Sequence, residues 1–170
     1  VVDSGKYTLA ATLTENTSEG CIVGYDPWLH SKRQIAMLEK ALSGRVTLRP
    51  LSRNPSDALW QDQPPRPCEA VFRHDDALAG RSSREKIADV VTQMHTDAGA
   101  LLLTEPDAIC WLLNIRGGDV PFNPLPLCYA VLMRAGTVTL IIDPAKVPAG
   151  VLEAHVSVVE ESAFAGRMAA

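Results

Sequence analysis

No stretch of this 170-residue chain is apolar for long enough to cross a bilayer; the longest, such as 138–142, are strand-length. No basic start leads into an apolar run, so nothing reads as a secretory leader. Positive charge is in short supply as well. A formal net charge of −4 offers no electrostatic attraction to a phosphate backbone, which argues against nucleic-acid binding through a basic patch. The chain opens Val-Val-Asp without a methionine, and its natural amino terminus is expected upstream.

Catalytic patterns are missing too. The cysteines Cys21, Cys68, Cys110 and Cys128 form no Cys-x-x-Cys pair, and no histidine stands at ligand spacing from them. They read as small core hydrophobes in a reducing compartment. His30, His74, His95 and His155 include no pair at H-x-x-x-H spacing, and His95 is placed on the polar side of a helix. His74-Asp75-Asp76 are consecutive, so their side chains diverge and read as a solvated turn rather than a metal site. There is no Gly-x-Ser-x-Gly elbow, and "RGGDVP" runs into proline where a phosphate-binding loop needs a helix start. Glu160-Glu161 read as solvated charge. Taken residue by residue, the chain holds no complete active site.

What it does hold is a foldable pattern, with 46% hydrophobic and 21% charged residues. "CIVGYD" (21–26) predicts a short buried strand. "SKRQIAMLEKALSG" predicts a helix with Ile35, Leu38 and Leu42 on one face, opened by a Ser31/Gln34 capping box and stopped at Gly44. "RVTLRPL" (45–51) predicts a strand, "NPSDALW" a short helix with Pro55 in its first turn, and "QDQPPRP" a rigid connector. "SSREKIADVVTQM" is a second capped helix, with Ser82 and Glu85 at its start and Ile87, Val90, Val91 and Met94 on its apolar face. "ALLLT" (100–104), without polar alternation, predicts a central strand buried on both faces. "EPDAICWLL" fits helical turns or a strand entry. "CYAVLMRAGTVTLIID" predicts a hairpin turning at Ala135-Gly136, followed by a helix near Pro148–His155 and a strand at 156–160. This order defines an α/β fold, a mixed β-sheet flanked by helices. The first dozen residues, with a strand-like stretch of their own, read as the end of something else.

The least ordinary segment is "WLLNIRGGDVPFNP" (111–124), an apolar run meeting an arginine, two glycines, an aspartate and two prolines. Together with "GYDPWLH" (24–30), "NPSDALWQDQPPRP" (54–67), "SSREKIADVVTQM" (82–94), "AICWLLNIRGGDVPFNPLPLCYAVL" (108–132) and "VTLIIDPAKVP" (138–148), it resembles the Xaa-Pro aminopeptidase (aminopeptidase P) family. The resemblance is to the non-catalytic second domain, with "VVDSGKYTLAATL" similar to the tail of the first. It implies a creatinase/prolidase amino-terminal fold with a ribonuclease H-like motif. It also implies a division into 1–20 (tail and connector), 21–162 (domain) and 163–170 (linker to a catalytic domain). The family's catalytic domain has the pita-bread fold and holds two manganese ions. It removes the first residue of peptides with proline second. Those ligands are expected beyond Ala170, so this chain alone is expected to bind no catalytic metal and to cleave nothing.

The resemblance further implies a cytoplasmic protein whose partners are the catalytic domain and a peptide at the domain border, with a second subunit also allowed. On this reading Arg116, Gly117, Gly118, Asp119, Phe122 and Asn123 border the cleft or make an interdomain contact, with no catalytic and no metal-binding residue among them. Gly118 and Phe122 stand where the family usually has serine and histidine. Arg116 either offers its fork to a carboxylate across the border or pairs with Asp119 across the turn. Leu125, Leu127 and Phe122 are candidates for an apolar docking face. The alternative is a stand-alone binding or assembly module of the same fold.

Overall fold

The structure, a computed structural model, describes residues 8–163. Two compact units divide the chain, Val1–Pro65 and Arg66–Ala170. The division falls inside the proline-rich connector, whereas the sequence-based boundary after residue 20 marks the approach to the first strand. The expected 163–170 linker lies almost wholly outside the described residues, as does the start of the 1–20 tail.

In the first unit, helix α1 (Leu9–Asn16) begins where the Thr8 side chain accepts from the Ala11 amide, so part of the strand-like opening is helical. Strand β1 (Ile22–Tyr25) leads through helix α2 (Lys32–Leu42) to β2 (Thr47–Pro50), and the strands pair in parallel from Ile22↔Thr47 to Tyr25↔Pro50. Parallel pairing needs a crossover, and α2 supplies it. Its capping box is formed as expected, with Ser31 and Gln34 bonding each other's backbone. The helix ends at Ser43 in the left-handed region (φ 49°), followed by Gly44 at 78°. Ile35 and Leu42 are buried and Leu38 is half-buried. β1 is not the buried strand expected: Ile22 is 53% exposed. Helix α3 (Pro55–Leu59) starts with Pro55 after an Asn54 cap. The side chain of Asn54 also donates to Asp26 Oδ2 at 2.9 Å, tying together the loops that leave β1 and β2.

The second unit holds the main core. Strand β3 (Phe72–Arg73), short helix α4 (Asp76–Ala79) and helix α5 (Ser83–Gln93) precede β4 (Ala100–Leu103). Helix α6 (Pro106–Leu113), β5 (Ile115–Arg116), β6 (Tyr129–Met133), β7 (Val138–Ile141) and β8 (Val156–Val159) follow. The four-stranded sheet runs β4-β6-β7-β8, antiparallel except for the parallel β7–β8 pair, while β3 and β5 form a separate antiparallel ribbon. The fold is thus α/β with mixed sheets, as expected, but β1 and β2 form a sheet of their own.

Alternate residues Ala130, Leu132, Val138, Leu140 and Ile142 pack with Ile87 of α5 and Ile109, Cys110, Leu112 and Leu113 of α6. These positions follow the period of two that puts one strand face inward.

Two expectations are corrected, and one alternative left open is decided. β4 is an edge strand rather than a central one; Leu101 and Leu103 pack on the core while Leu102 is 40% exposed. A continuous apolar run cannot by itself report which neighbours a strand acquires. Residues 111–113 end a helix, not a strand, because Asn114 turns left-handed (φ 51°) and stops it. No α-helix forms at 148–155. A 3-10 turn at Pro144–Lys146 is followed by turns, with Gly150 at φ 81°. The hairpin at Ala135-Gly136 and the final strand are found where expected.

Candidate functional site

The 116–127 segment leaves β5 and returns to β6 as a pinned loop. Gly117 N donates to Pro124 O at 3.2 Å, and Asp119 N to Leu125 O at 3.1 Å. A Cβ on Gly117 would lie 2.8 Å from the Pro126 backbone nitrogen, so only glycine lets these two strands of the loop approach. Gly118 packs more loosely against Glu69, at 3.2 Å for the same construction. The close approach expected of these glycines is therefore made within the unit.

Asp119 anchors the loop. Its side chain is fully buried and accepts from Lys146 Nζ and Leu127 N at 2.7 Å each, and from Glu69 N at 3.1 Å. Burial alone would raise its pKa. The bonds from Lys146, Leu127 and Glu69, with the lysine's charge, outweigh burial and hold the carboxyl below its ordinary value. The alternative that Asp119 pairs with Arg116 is excluded by these contacts. Arg116 instead folds back on α6, its Nη1 donating to Ile115 O at 2.7 Å and Cys110 O at 3.2 Å. The Cys110 carbonyl, in the last turn of α6, thereby gains a cationic donor. At the tip, Phe122 is fully solvent-exposed with φ 61°, and Asn123 beside it is exposed. The six expected residues thus share one loop but divide into an anchor, a helix cap and a tip. Of the expected docking face, Leu125 packs against the core, Leu127 is 49% exposed and only Phe122 stands clear.

Sequence reading missed two features. One is a buried polar network centred on Asn114. Its amide donates to Asp76 Oδ1 and Arg81 O at 2.8 Å each, and its Oδ1 accepts from Lys86 Nζ at 2.6 Å. Lys86 also reaches Trp111 O at 3.0 Å and lies 5.1 Å from the Trp111 ring centre. Desolvation, then the charge of Arg116, lowers the Lys86 pKa, with Asp76 opposing. The available signal was an asparagine at a helix-to-strand junction, since Asn tolerates the left-handed region. This network also explains His74-Asp75-Asp76: Asp75 caps α4 and Asp76 serves Asn114 and Arg73.

The second feature is a cleft of about 720 Å³ where β4, β7 and β8 end and β6 begins. Thr104, Cys128 and Tyr129, Ile141 to Asp143, and Glu160 come from those four strand ends, and residues 66–68 and Lys146 add walls. No local motif signals this cleft, because its lining spans residues 66–162.

The cysteines divide by burial. Cys110 and Cys128 are the core hydrophobes expected, with burial pushing their thiols to about 11 and about 12, so neither is a ready nucleophile. Cys68 is exposed and Cys21 half-buried, contrary to that expectation. His95 lies beyond the end of α5, exposed, rather than on a helix face. Among the described residues no three His, Cys, Asp or Glu side chains converge as a metal site. No described helix is long and apolar enough to cross a membrane.

The family model for the creatinase/prolidase N-terminal domain matches residues 62–168. The chain belongs to that family. Its curated relatives include the probable Xaa-Pro aminopeptidase P of Ajellomyces dermatitidis (strain ER-3), 35% identical over 140 residues, covering 81% of this chain and 22% of the relative. That of Neosartorya fischeri is 36% identical over 122 residues, covering 70% of this chain and 19% of the relative. The chain therefore spans about a fifth of the length of the curated relatives it matches. Among solved structures, X-prolyl aminopeptidase from Caenorhabditis elegans, described as a cytosolic enzyme with a di-nuclear active site, superposes with a TM-score of 0.84. That match has 24% identity and covers 98% of this chain and 28% of the other. It shows that the fold is shared along nearly the whole chain.

Proposed function

We propose that this chain is a non-catalytic part of a cytoplasmic Xaa-Pro aminopeptidase. It would scaffold a dimanganese, pita-bread catalytic domain and wall one side of its peptide cleft. The whole protein would release the first residue of peptides with proline second. The observation that carries this reading is the family match over residues 62–168, joined to relatives bearing that name. On this reading 21–162 acts as the domain and 163–170 as the linker. On the same reading the manganese ligands would be carried by the longer polypeptide.

On this reading the loop tip, rather than the arginine fork, takes the border role. Phe122 and Asn123 face solvent on a segment held rigidly by Asp119, while Arg116 Nη1 is occupied by the carbonyls of Ile115 and of Cys110 in α6. Such an exposed aromatic on a rigid loop suits a contact with a second domain or subunit.

The test is to express the uninterrupted reading frame and assay release of the first residue from proline-second peptides with manganese. Turnover is expected, with Phe122→Ala raising KM or lowering kcat without changing metal content. Absence of a downstream catalytic segment, or no turnover by the intact protein, would favour a stand-alone module instead.

A further inference from the structure

We propose that the cleft at the carboxyl ends of β4, β7 and β8 binds an arginine-bearing segment of another polypeptide. Its charges decide the sign of the ligand. Lys146 is committed to buried Asp119 at 2.7 Å, and Arg66 pairs with Glu161 at 2.7 Å on the rim. Asp143 and Glu160 also face the cleft, and neither forms an ion pair among the described residues. Asp143 is already oriented: Oδ1 accepts from the Ala145 amide at 2.9 Å, leaving Oδ2 with only the Cys68 thiol at 3.9 Å. A carboxylate held in place on one oxygen and free on the other is a ready acceptor for a guanidinium fork.

The floor decides the rest of the ligand. Leu127 and Ile141 line the same cleft as the two carboxylates. An arginine stem, with an apolar neighbour in the segment, covers that surface while the charge reaches Asp143 and Glu160. A polyamine would satisfy the charge but lacks the branched apolar group, so the occupant is a polypeptide. The Arg66–Glu161 pair is 85% and 44% exposed on its two sides, weakly held, and free to open as the segment enters. This proposal does not rest on peptidase activity; an inactive full-length protein would leave it standing.

The test titrates acetyl-Ala-Arg-Leu-amide into the whole chain and follows backbone amide shifts, with the citrulline peptide and spermidine as comparisons. Saturable shifts at Ala145 and Glu160 are expected, with the citrulline peptide and spermidine each about tenfold weaker. Asp143→Asn keeps an oxygen for the Ala145 amide and is expected to weaken the arginine peptide about tenfold, as is Glu160→Gln. Unchanged amide dispersion in these variants would confirm that they are folded. Equal binding of arginine and citrulline peptides, undiminished binding by both variants, or no saturable shift would each overturn the proposal. Spermidine binding as tightly as the peptide would overturn the polypeptide assignment.

Discussion

The two units solve the same problem with unequal means. Residues 66–163 bury a contiguous core of branched side chains between a four-stranded sheet and helices α5 and α6. In the described part of the first unit, only Ile35, Leu42 and Val46 are buried hydrophobics, beneath a two-stranded sheet. A two-stranded sheet is marginal without further packing. Trp28 at 75% and Leu59 at 81% exposure show how much apolar surface that unit leaves in water. Secondary structure can therefore be well specified locally, by caps and turns, in a region where tertiary burial is thin.

The contrast can be broken by mutation. The largest effect is expected from Asp119→Ala, which strands a buried Lys146 charge and should cost about 4 kcal/mol; urea unfolding followed by second-unit probes would measure it. A loss under about 1 kcal/mol would mean that the loop is not anchored there. Leu132→Ala, at a fully buried position, should cost about 3 kcal/mol, and Leu42→Ala in the first unit about 2. Hydrogen exchange would sharpen the comparison, since Leu42→Ala should deprotect the α2 and β2 amides while leaving β6 and β7 unchanged. Phe122→Gly should stabilise by about 1 kcal/mol, because glycine takes φ 61° without strain. A destabilised glycine variant would show that the ring packs more than its exposure implies.

The smallest signal is a pH dependence. The folded pKa of Asp119 is held below its unfolded value. Its contribution is therefore full above an unfolded pKa of about 3.9 and is lost as pH falls through the folded value. Stability measured against pH in that acid window should lose slope in Asp119→Asn.

Much of this was legible locally. Both capping boxes, the Pro55 helix start and the Ala135-Gly136 hairpin depend on residues within a few positions of each other, and all formed. What failed depended on distant partners. "ALLL" carries no mark of whether one strand or two will flank it, and "WLLNI" hid a helix end that Asn114 makes by reaching Lys86, Asp76 and Arg81. Asp119 could be singled out as unusual, but its partner Lys146 lies 27 residues away. Arg116 reads from sequence as either an outward fork or a partner for Asp119, and it is neither, because sequence does not show the carbonyls behind it. The cleft, assembled from four strand ends, had no local trace.

The pinned loop has a practical consequence. Between the Gly117–Pro124 and Asp119–Leu125 hydrogen bonds, the chain makes an excursion whose ends are fixed and whose tip touches little. Loop-closure entropy grows slowly with length. Residues 121–123 are therefore a natural place for evolution, or an engineer, to splice in a longer finger without disturbing the frame beneath it.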